Sequence, residues 1–227
     1  MTARDKIIVP IVCLISFACP SCGPRRCPIS YDFTSPAALQ HIRRVALIEL
    51  APEKGAPQIA ADMTEALFQA LQAKRLFHVD VVRRTDAACR DLPLDRMEPY
   101  ALENFSEMHR ALRCDGAIIG KISQFQTYPR LRIGLYLRLL DLRNGAVIWA
   151  VDHTWDTTDK KTEERIKQFF ERCLRDGYDP LQWRLATQSP KTFQKFIAYE
   201  IVEHTLPARS EVPRPTRVSF GAPRRGM

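Results

Sequence analysis

The sequence lacks the short motifs on which many catalytic and metal sites depend. It contains no G-x-S-x-G, the turn that presents a nucleophilic serine, and no H-E-x-x-H or H-x-x-x-H pair for a metal ion. Only nine glycines are present, and none belongs to a glycine-rich turn of the kind that cradles phosphate before a helix. We therefore predict no catalytic residues, no metal site and no cofactor.

A hydrophobic run long enough to cross a bilayer is also missing from the amino-terminal end. Residues 7–18 (IIVPIVCLISFA) are apolar apart from Ser16, whereas a spanning helix needs roughly 20 residues. Arg4 and Lys6 precede the run, and small residues stand at positions −3 and −1 before Cys19. This layout is typical of a secretory signal, and in particular of a bacterial lipoprotein signal in which the cysteine is acylated.

Two cysteines are candidates for lipid attachment. Cys19 follows an alanine, and Cys22 is the alternative because Pro-Ser precedes it. Plain secretion, an uncleaved anchor and a buried cytosolic segment are the alternatives to a lipoprotein signal. Two or three acyl chains hold a protein firmly on a membrane, since each buried CH₂ contributes about 0.8 kcal/mol. We expect a protein on the periplasmic side of the cell envelope, anchored by lipid to the outer membrane.

The cysteine-rich stretch CPSCGPRRC does not favour a metal or redox site. A zinc site needs a second C-x-x-C or paired histidines, and a redox C-x-x-C lies between a strand and a helix. Cys89, Cys114 and Cys173 are instead isolated in the sequence. Export permits disulfides, but the sequence assigns no pairs.

The distribution of proline and charge divides the chain into four parts. They are a signal peptide (1–18), a lipidated tether (19–42), an α/β domain (43–206) and a basic disordered tail (207–227). The tail has four prolines and five arginines against Glu211 as its one acidic residue. The net charge of +8 keeps the protein soluble or permits contact with anionic lipid, acidic polymer or nucleic acid.

Hydrophobic periodicity predicts a mixed sheet covered by helices. Apolar runs and period-two alternation indicate five strands, at 43–50, 77–82, 117–125, 131–139 and 146–155. Apolar residues at spacings of three and four predict four helices, at 58–75, 101–112, 158–174 and 191–206. The fold class is α/β (α+β), a single domain of two or three layers. The element order is β-α-β-α-β-β-β-α-α.

Turn and capping residues mark several of the boundaries. Asn144-Gly145 predicts a hairpin, and Thr158 or Asp159 is expected to cap the third helix. Ser189 with the proline that follows it predicts the start of the fourth. A further short helix is expected to begin at residue 85 or 86.

A few side chains offer weak signals for chemistry or binding. His153, at the end of a strand, is the only histidine considered as a catalyst, although solvent contact is the simpler interpretation. Trp149, Trp155 and Trp183 suggest a glycan platform, but the spacing of Trp149 and Trp155 favours packing of a sheet face. The arginines and tyrosines of the strand at 131–139, with Arg130 and Tyr128 just before it, resemble a nucleic-acid surface, which the export signal argues against.

Three segments carry a resemblance to a known group of proteins. They are RVALI at 44–48, CDGAIIGKI at 114–122 and LRLLDLRNGAVIW at 137–149. The pattern resembles the periplasmic lipoprotein domains related to CsgG, the amino-terminal domain of TolB and LpoB. It covers roughly residues 43–156, about half of the chain, with Cys-Asp-Gly where the family pattern has Ala-Asp.

The resemblance implies an assembly, scaffold or activator protein without catalytic residues. The pore of the curli protein does not carry over, because the hairpin at 144–145 is short. We therefore predict a membrane-anchored lipoprotein that binds envelope proteins or itself, with homo-oligomers included, and that does not bind nucleic acid. A component of a secretion or export assembly and an exported hydrolase are the alternatives.

Overall fold

A computed structural model of the chain describes residues 28–53, 57–87, 102–173, 183–184 and 187–213. The strands are β1 (Tyr31–Phe33), β2 (Arg44–Ile48), β3 (His78–Val82), β4 (Gly116–Gln126), β5 (Arg132–Asp141) and β6 (Val147–Asp156). The helices are α1 (Pro57–Lys74), α2 (Leu102–Leu112), α3 (Lys160–Cys173) and α4 (Pro190–Thr205). The predicted fold class is confirmed.

All six strands join one mixed sheet in the order β1-β6-β5-β4-β2-β3. The pairs β1–β6, β6–β5 and β5–β4 are antiparallel. β2 lies parallel to both β4 and β3. Consequently β2, β3, β4 and β6 run in one direction, whereas β1 and β5 run in the other. The starts of β2 and β3 lie at one end of the sheet, and the start of β1 lies at the opposite end.

The sheet has one strand more than the sequence predicts, and the additional strand is β1. β1 pairs with β6 from Tyr31↔Val151 to Phe33↔Trp149, within the segment 19–42 that we interpreted as a tether. A strand of three residues is too short to show an alternating pattern. It forms because a distant strand offers it a ladder partner, which no local signal reveals.

Helices cover both faces of the sheet, so the domain has three layers. The larger core packs side chains of α1, α3 and α4 against one sheet face, with Leu47, Ile118 and Leu139 among the strand residues. The smaller core packs Phe105 and Met108 of α2 against the other face. Neighbouring strand residues point to opposite faces, which is why two adjacent apolar residues serve different cores.

The predicted starts of the third and fourth helices are confirmed by their caps. Asp159 rather than Thr158 caps α3, since its carboxylate accepts hydrogen bonds from the Lys161 N–H at 3.2 Å and the Thr162 hydroxyl at 3.0 Å. The Ser189 hydroxyl accepts from the backbone N–H of Thr192 at the start of α4.

The predicted hairpin between β5 and β6 is also confirmed. Gly145 has a φ of +74°, a left-handed conformation that glycine adopts without steric penalty. Its N–H donates to the Asp141 carbonyl at 2.8 Å, and the Asp141 N–H donates to the Ala146 carbonyl at 2.9 Å.

Two further expectations fall partly or wholly outside the described residues. Most of the short helix expected from residue 85 or 86 falls on residues that the structure does not describe. The tail predicted for 207–227 is described only as far as Pro213, and in that part Arg209–Glu211 forms a short 3₁₀ helix. Val212 then packs against the larger core.

Candidate functional site

The predicted lipid attachment sites cannot be placed in the fold. Cys19 and Cys22, with Cys27 of the same stretch, lie outside the described residues. Pro28 is the first described residue, nine positions after Cys19, a distance of at most about 30 Å for an extended chain. Within the described ranges, no helix is long and apolar enough to cross a membrane.

His153 lies half-buried on β6, two positions before Trp155. Its ring packs edge-on against Trp155, with the ring centroids 4.7 Å apart. The backbone N–H of Ser30 donates to His153 Nδ1 at 3.4 Å. Burial lowers the pKa of His153, and the nearby charge of Arg165 lowers it further. These contacts favour a neutral ring that helps to hold the chain just before β1.

A buried carboxylate next to His153 was not predicted from the sequence. Glu200 of α4 is only 1% exposed. Its Oε2 accepts a hydrogen bond from Trp155 Nε1 at 2.8 Å, and its Oε1 accepts from Arg165 Nε at 2.6 Å. Because the three residues belong to β6, α3 and α4, the network ties two helices to the sheet. A charged residue within the apolar stripe of α4 was the signal that could have revealed it.

The hydrogen-bonding atoms of this network are engaged within the fold. Both oxygens of Glu200 are engaged, and the Thr162 hydroxyl donates to Asp159 at 3.0 Å. The pKa of Asp159 is lowered, chiefly by the Lys161 N–H and then by Thr162, which makes this carboxylate a weak base. In the described part of the chain, no group of three or more histidine, cysteine, aspartate or glutamate residues is arranged to hold a metal ion.

Two of the three tryptophans considered for a glycan platform lie in the core. Trp149 is 1% exposed and Trp155 is fully buried, so the interpretation as sheet packing is confirmed. Each indole N–H also has an acceptor, because Trp149 Nε1 donates to the Thr205 hydroxyl at 2.9 Å and Trp155 donates to Glu200. Neither ring is available as a platform for a glycan.

Two of the basic side chains of β5 make contacts within the sheet. Arg132 forms an ion pair with Asp156. Burial favours the protonated form of Asp156, but hydrogen bonds from Thr158 and Arg132 outweigh it and lower the pKa of that carboxylate. The Arg138 guanidinium lies over the Tyr136 ring at 4.8 Å. Arg132 and Arg138 therefore both contact other side chains of the sheet.

A large cleft lies at the end of the sheet where β2 and β3 begin. Its volume is about 1330 Å³. Three exposed arginines line it: Arg43 before β2, Arg75 after α1 and Arg209 in the carboxy-terminal 3₁₀ helix. The sequence did not point to this cleft, because residues from three distant segments meet there. We refer to it as the arginine cleft.

The lining of the arginine cleft mixes apolar side chains with polar ones, which include Gln40, Gln72 and His78. Ile42, Leu76, Phe77, Val79 and Val212 contribute to its lining. None of the described residues that line it is acidic. The cleft therefore combines positive charge with hydrophobic surface, which is the usual character of a binding groove.

Comparison with known proteins gives structural likeness only. No protein-family model matches the chain, and no curated protein matches it. A PelC dodecamer from Paraburkholderia phytofirmans is similar at 15% identity with a TM-score of 0.47, covering 78% of this chain and 98% of the PelC chain. At this identity the likeness concerns the fold alone.

Two further solved structures show weaker likeness. Lipoprotein GNA1162 from Neisseria meningitidis has 12% identity and a TM-score of 0.37, covering 60% of this chain and 99% of its own. The LpoB C-terminal domain from Salmonella enterica has 18% identity and a TM-score of 0.36, covering 50% and 83%. The structural neighbours thus include LpoB, one of the proteins that the sequence motifs resemble.

Proposed function

We propose that this chain is a membrane-anchored lipoprotein of the cell envelope that binds other envelope proteins without catalysing a reaction. The observation that carries the proposal is the apolar run 7–18 followed directly by Cys19. The sheet begins with β1 only twelve residues later, so the anchor would hold the domain close to the membrane. Residues 1–18 would be removed, and the domain would face the periplasm from the outer membrane.

The geometry supports a binding role more than a catalytic one. The polar network of Glu200, Arg165 and Trp155 uses its hydrogen-bonding atoms within the fold. The arginine cleft instead presents charged and apolar surface to the outside. A protein that acts by holding partners needs such a surface and no reacting group.

The anchor is tested by metabolic labelling with a radioactive fatty acid in the producing cell. We expect label on the wild-type chain and on Cys22→Ala, and none on Cys19→Ala. Loss of label in Cys22→Ala alone would move the attachment to that residue. Absence of label from the wild-type chain, with the chain recovered in the cytosol, would contradict the proposal.

The binding role is tested by crosslinking in intact cells followed by mass determination of the products. We expect products larger than the single chain that contain envelope proteins or a second copy of this chain. The matched control is the unlabelled Cys19→Ala chain, which should lose the products formed at the membrane. A chain that remains a free monomer at every crosslinker concentration would contradict a scaffold role.

A further inference from the structure

The three guanidinium groups of the arginine cleft have no carboxylate partner among the described residues. Four other arginines do pair with a carboxylate, among them Arg44 with Asp80 at 2.9 Å and Arg165 with Glu200 at 2.6 Å. An arginine fork without a partner is a ready donor for a carboxylate or phosphate. The concentration of such groups in one concave surface indicates an anionic ligand.

The apolar walls limit which anion fits. Phe77, Leu76 and Val212 are partly buried and still contribute to the cleft lining. The volume of about 1330 Å³ exceeds the roughly 300–1,000 Å³ of a typical small-molecule pocket. The cleft therefore suits an extended ligand that carries apolar groups as well as negative charge.

The carboxy-terminal segment of this chain does not suit the arginine cleft as a ligand. Residues 214–227 follow directly from Pro213 in the cleft lining. They contain four arginines and no acidic residue, so they would meet like charge in the cleft.

The direction of the strands places the arginine cleft away from the predicted anchor. Pro28 stands just before β1, at the end of the sheet where β6 finishes. The cleft lies at the opposite end, where β2 and β3 begin. A chain held through Cys19 would therefore present the cleft toward the periplasmic space, which favours a protein partner over lipid headgroups.

We propose that the arginine cleft binds an acidic segment of a partner protein, one in which carboxylates alternate with apolar side chains. The carboxylates pair with Arg43, Arg75 and Arg209, and the apolar side chains contact Phe77 and Val212. This inference rests on the proposed binding function and names the class of partner. The choice of a protein over lipid headgroups uses the predicted anchor, whereas the match of charge and apolar surface does not.

The test uses the full chain in a zwitterionic detergent and a fluorescein-labelled acidic peptide. The peptide is about 12 residues long, and serine and glycine separate its glutamates and leucines. We expect saturable binding by fluorescence anisotropy, with a Kd on the order of 1–100 μM that weakens as salt is added. Replacing the leucines by serine should weaken binding, because the apolar walls then lose their contacts.

The decisive variant reverses the three charges as Arg43→Glu, Arg75→Glu and Arg209→Glu. We expect its Kd to rise by a factor of about 10 or more. The matched control, Lys167→Glu with Lys191→Glu and Lys195→Glu, changes the net charge equally on exposed helix positions and should leave the Kd within about a factor of two. Urea unfolding of both variants verifies that they fold.

Four results would overturn the proposal. They are no peptide binding at about 1 mM, equal weakening by both triple variants, binding of short-chain phosphatidylglycerol in place of the peptide, and self-association that only the arginine variant abolishes. The last two would assign the cleft to lipid or to a second copy of the chain. Peptide binding without fatty-acid label would defeat the anchor and leave the cleft assignment intact.

Discussion

The indole N–H of Trp155 and the carboxylate of Glu200 form a hydrogen bond of 2.8 Å inside the larger core. The two residues are 45 positions apart, and Arg165 supplies the charge that balances the carboxylate. A buried carboxylate is tolerated only when it is paired and hydrogen-bonded. This relationship fixes how α3 and α4 lie on β6.

Removal of the Glu200 side chain should destabilise the domain strongly. In Glu200→Ala, the Trp155 N–H loses its acceptor and Arg165 is left partly buried without a partner. We expect the free energy of unfolding to fall by about 3–5 kcal/mol, measured by urea denaturation. Glu200→Gln keeps an acceptor for the indole and should lose less.

Glu203 provides a control on the same helix. It pairs with Lys74 at 2.9 Å, but its side chain is 48% exposed. Such surface pairs contribute about 0–1 kcal/mol, so Glu203→Ala should have a small effect. Equal losses in Glu200→Ala and Glu203→Ala would contradict the structural role assigned to the buried network.

The elements of the fold were predictable because their signals are local. The apolar stripe Phe193, Phe196, Ile197 and Ile201 predicted α4, and all four residues are buried. Alternation predicted β5, and Asn144-Gly145 predicted the hairpin after it. β1 escaped prediction because three residues show no period and the strand depends on pairing with β6.

The candidate sites were less predictable because they depend on topology. Arg43, Arg75 and Arg209 lie in three distant segments, and only the docking of the carboxy-terminal segment beside the starts of β2 and β3 brings them together. The network around Glu200 likewise joins residues 35 and 45 positions apart. A sequence pattern reports the face of a helix and not the partner that the face meets.

The hairpin glycine should resist substitution. In Gly145→Ala, the new Cβ would lie 2.5 Å from Phe105 Cε2, at a backbone φ of +74°. The left-handed conformation and the crowding together should destabilise the domain by about 2–4 kcal/mol. Thermal or urea unfolding measures this loss.

The contribution of Phe105 to that loss can be separated with a double variant. In a Phe105→Leu background the ring atoms that face Gly145 are absent, so Gly145→Ala should cost less there than in the wild-type chain. An identical loss in both backgrounds would show that the backbone conformation alone disfavours alanine.

The Cys114 thiol should be inert in the folded protein. Cys114 is 2% exposed, and its Sγ contacts the Leu112 carbonyl oxygen at 3.2 Å. Burial raises the pKa of the thiol, against an opposing effect of the Arg44 charge, so little thiolate forms near neutral pH. We expect iodoacetamide to label this cysteine only after urea is added, as followed by mass spectrometry of its peptide. Rapid labelling of the native chain would contradict this placement.

The stability of the domain should fall as His153 gains a proton. Burial is the main cause of its lowered pKa and Arg165 adds to it, while Glu200 and Asp152 act in the opposite direction. In the unfolded chain the residue titrates near its ordinary pKa of 6.5. Between the two pKa values the unfolded state binds more protons, so the free energy of unfolding decreases as the pH drops below 6.5.

A comparison of His153→Gln with the wild-type chain isolates this effect. The glutamine does not titrate, and its amide oxygen can accept the Ser30 N–H. The wild-type chain should lose more stability than the variant between about pH 7.5 and about pH 5.5 in urea unfolding. His41→Gln, at an exposed position, is the matched histidine-to-glutamine control. Parallel profiles for His153→Gln and the wild-type chain would contradict a change in the pKa of His153 on folding. They would also show that protonation of His153 does not weaken its contact with the Ser30 N–H.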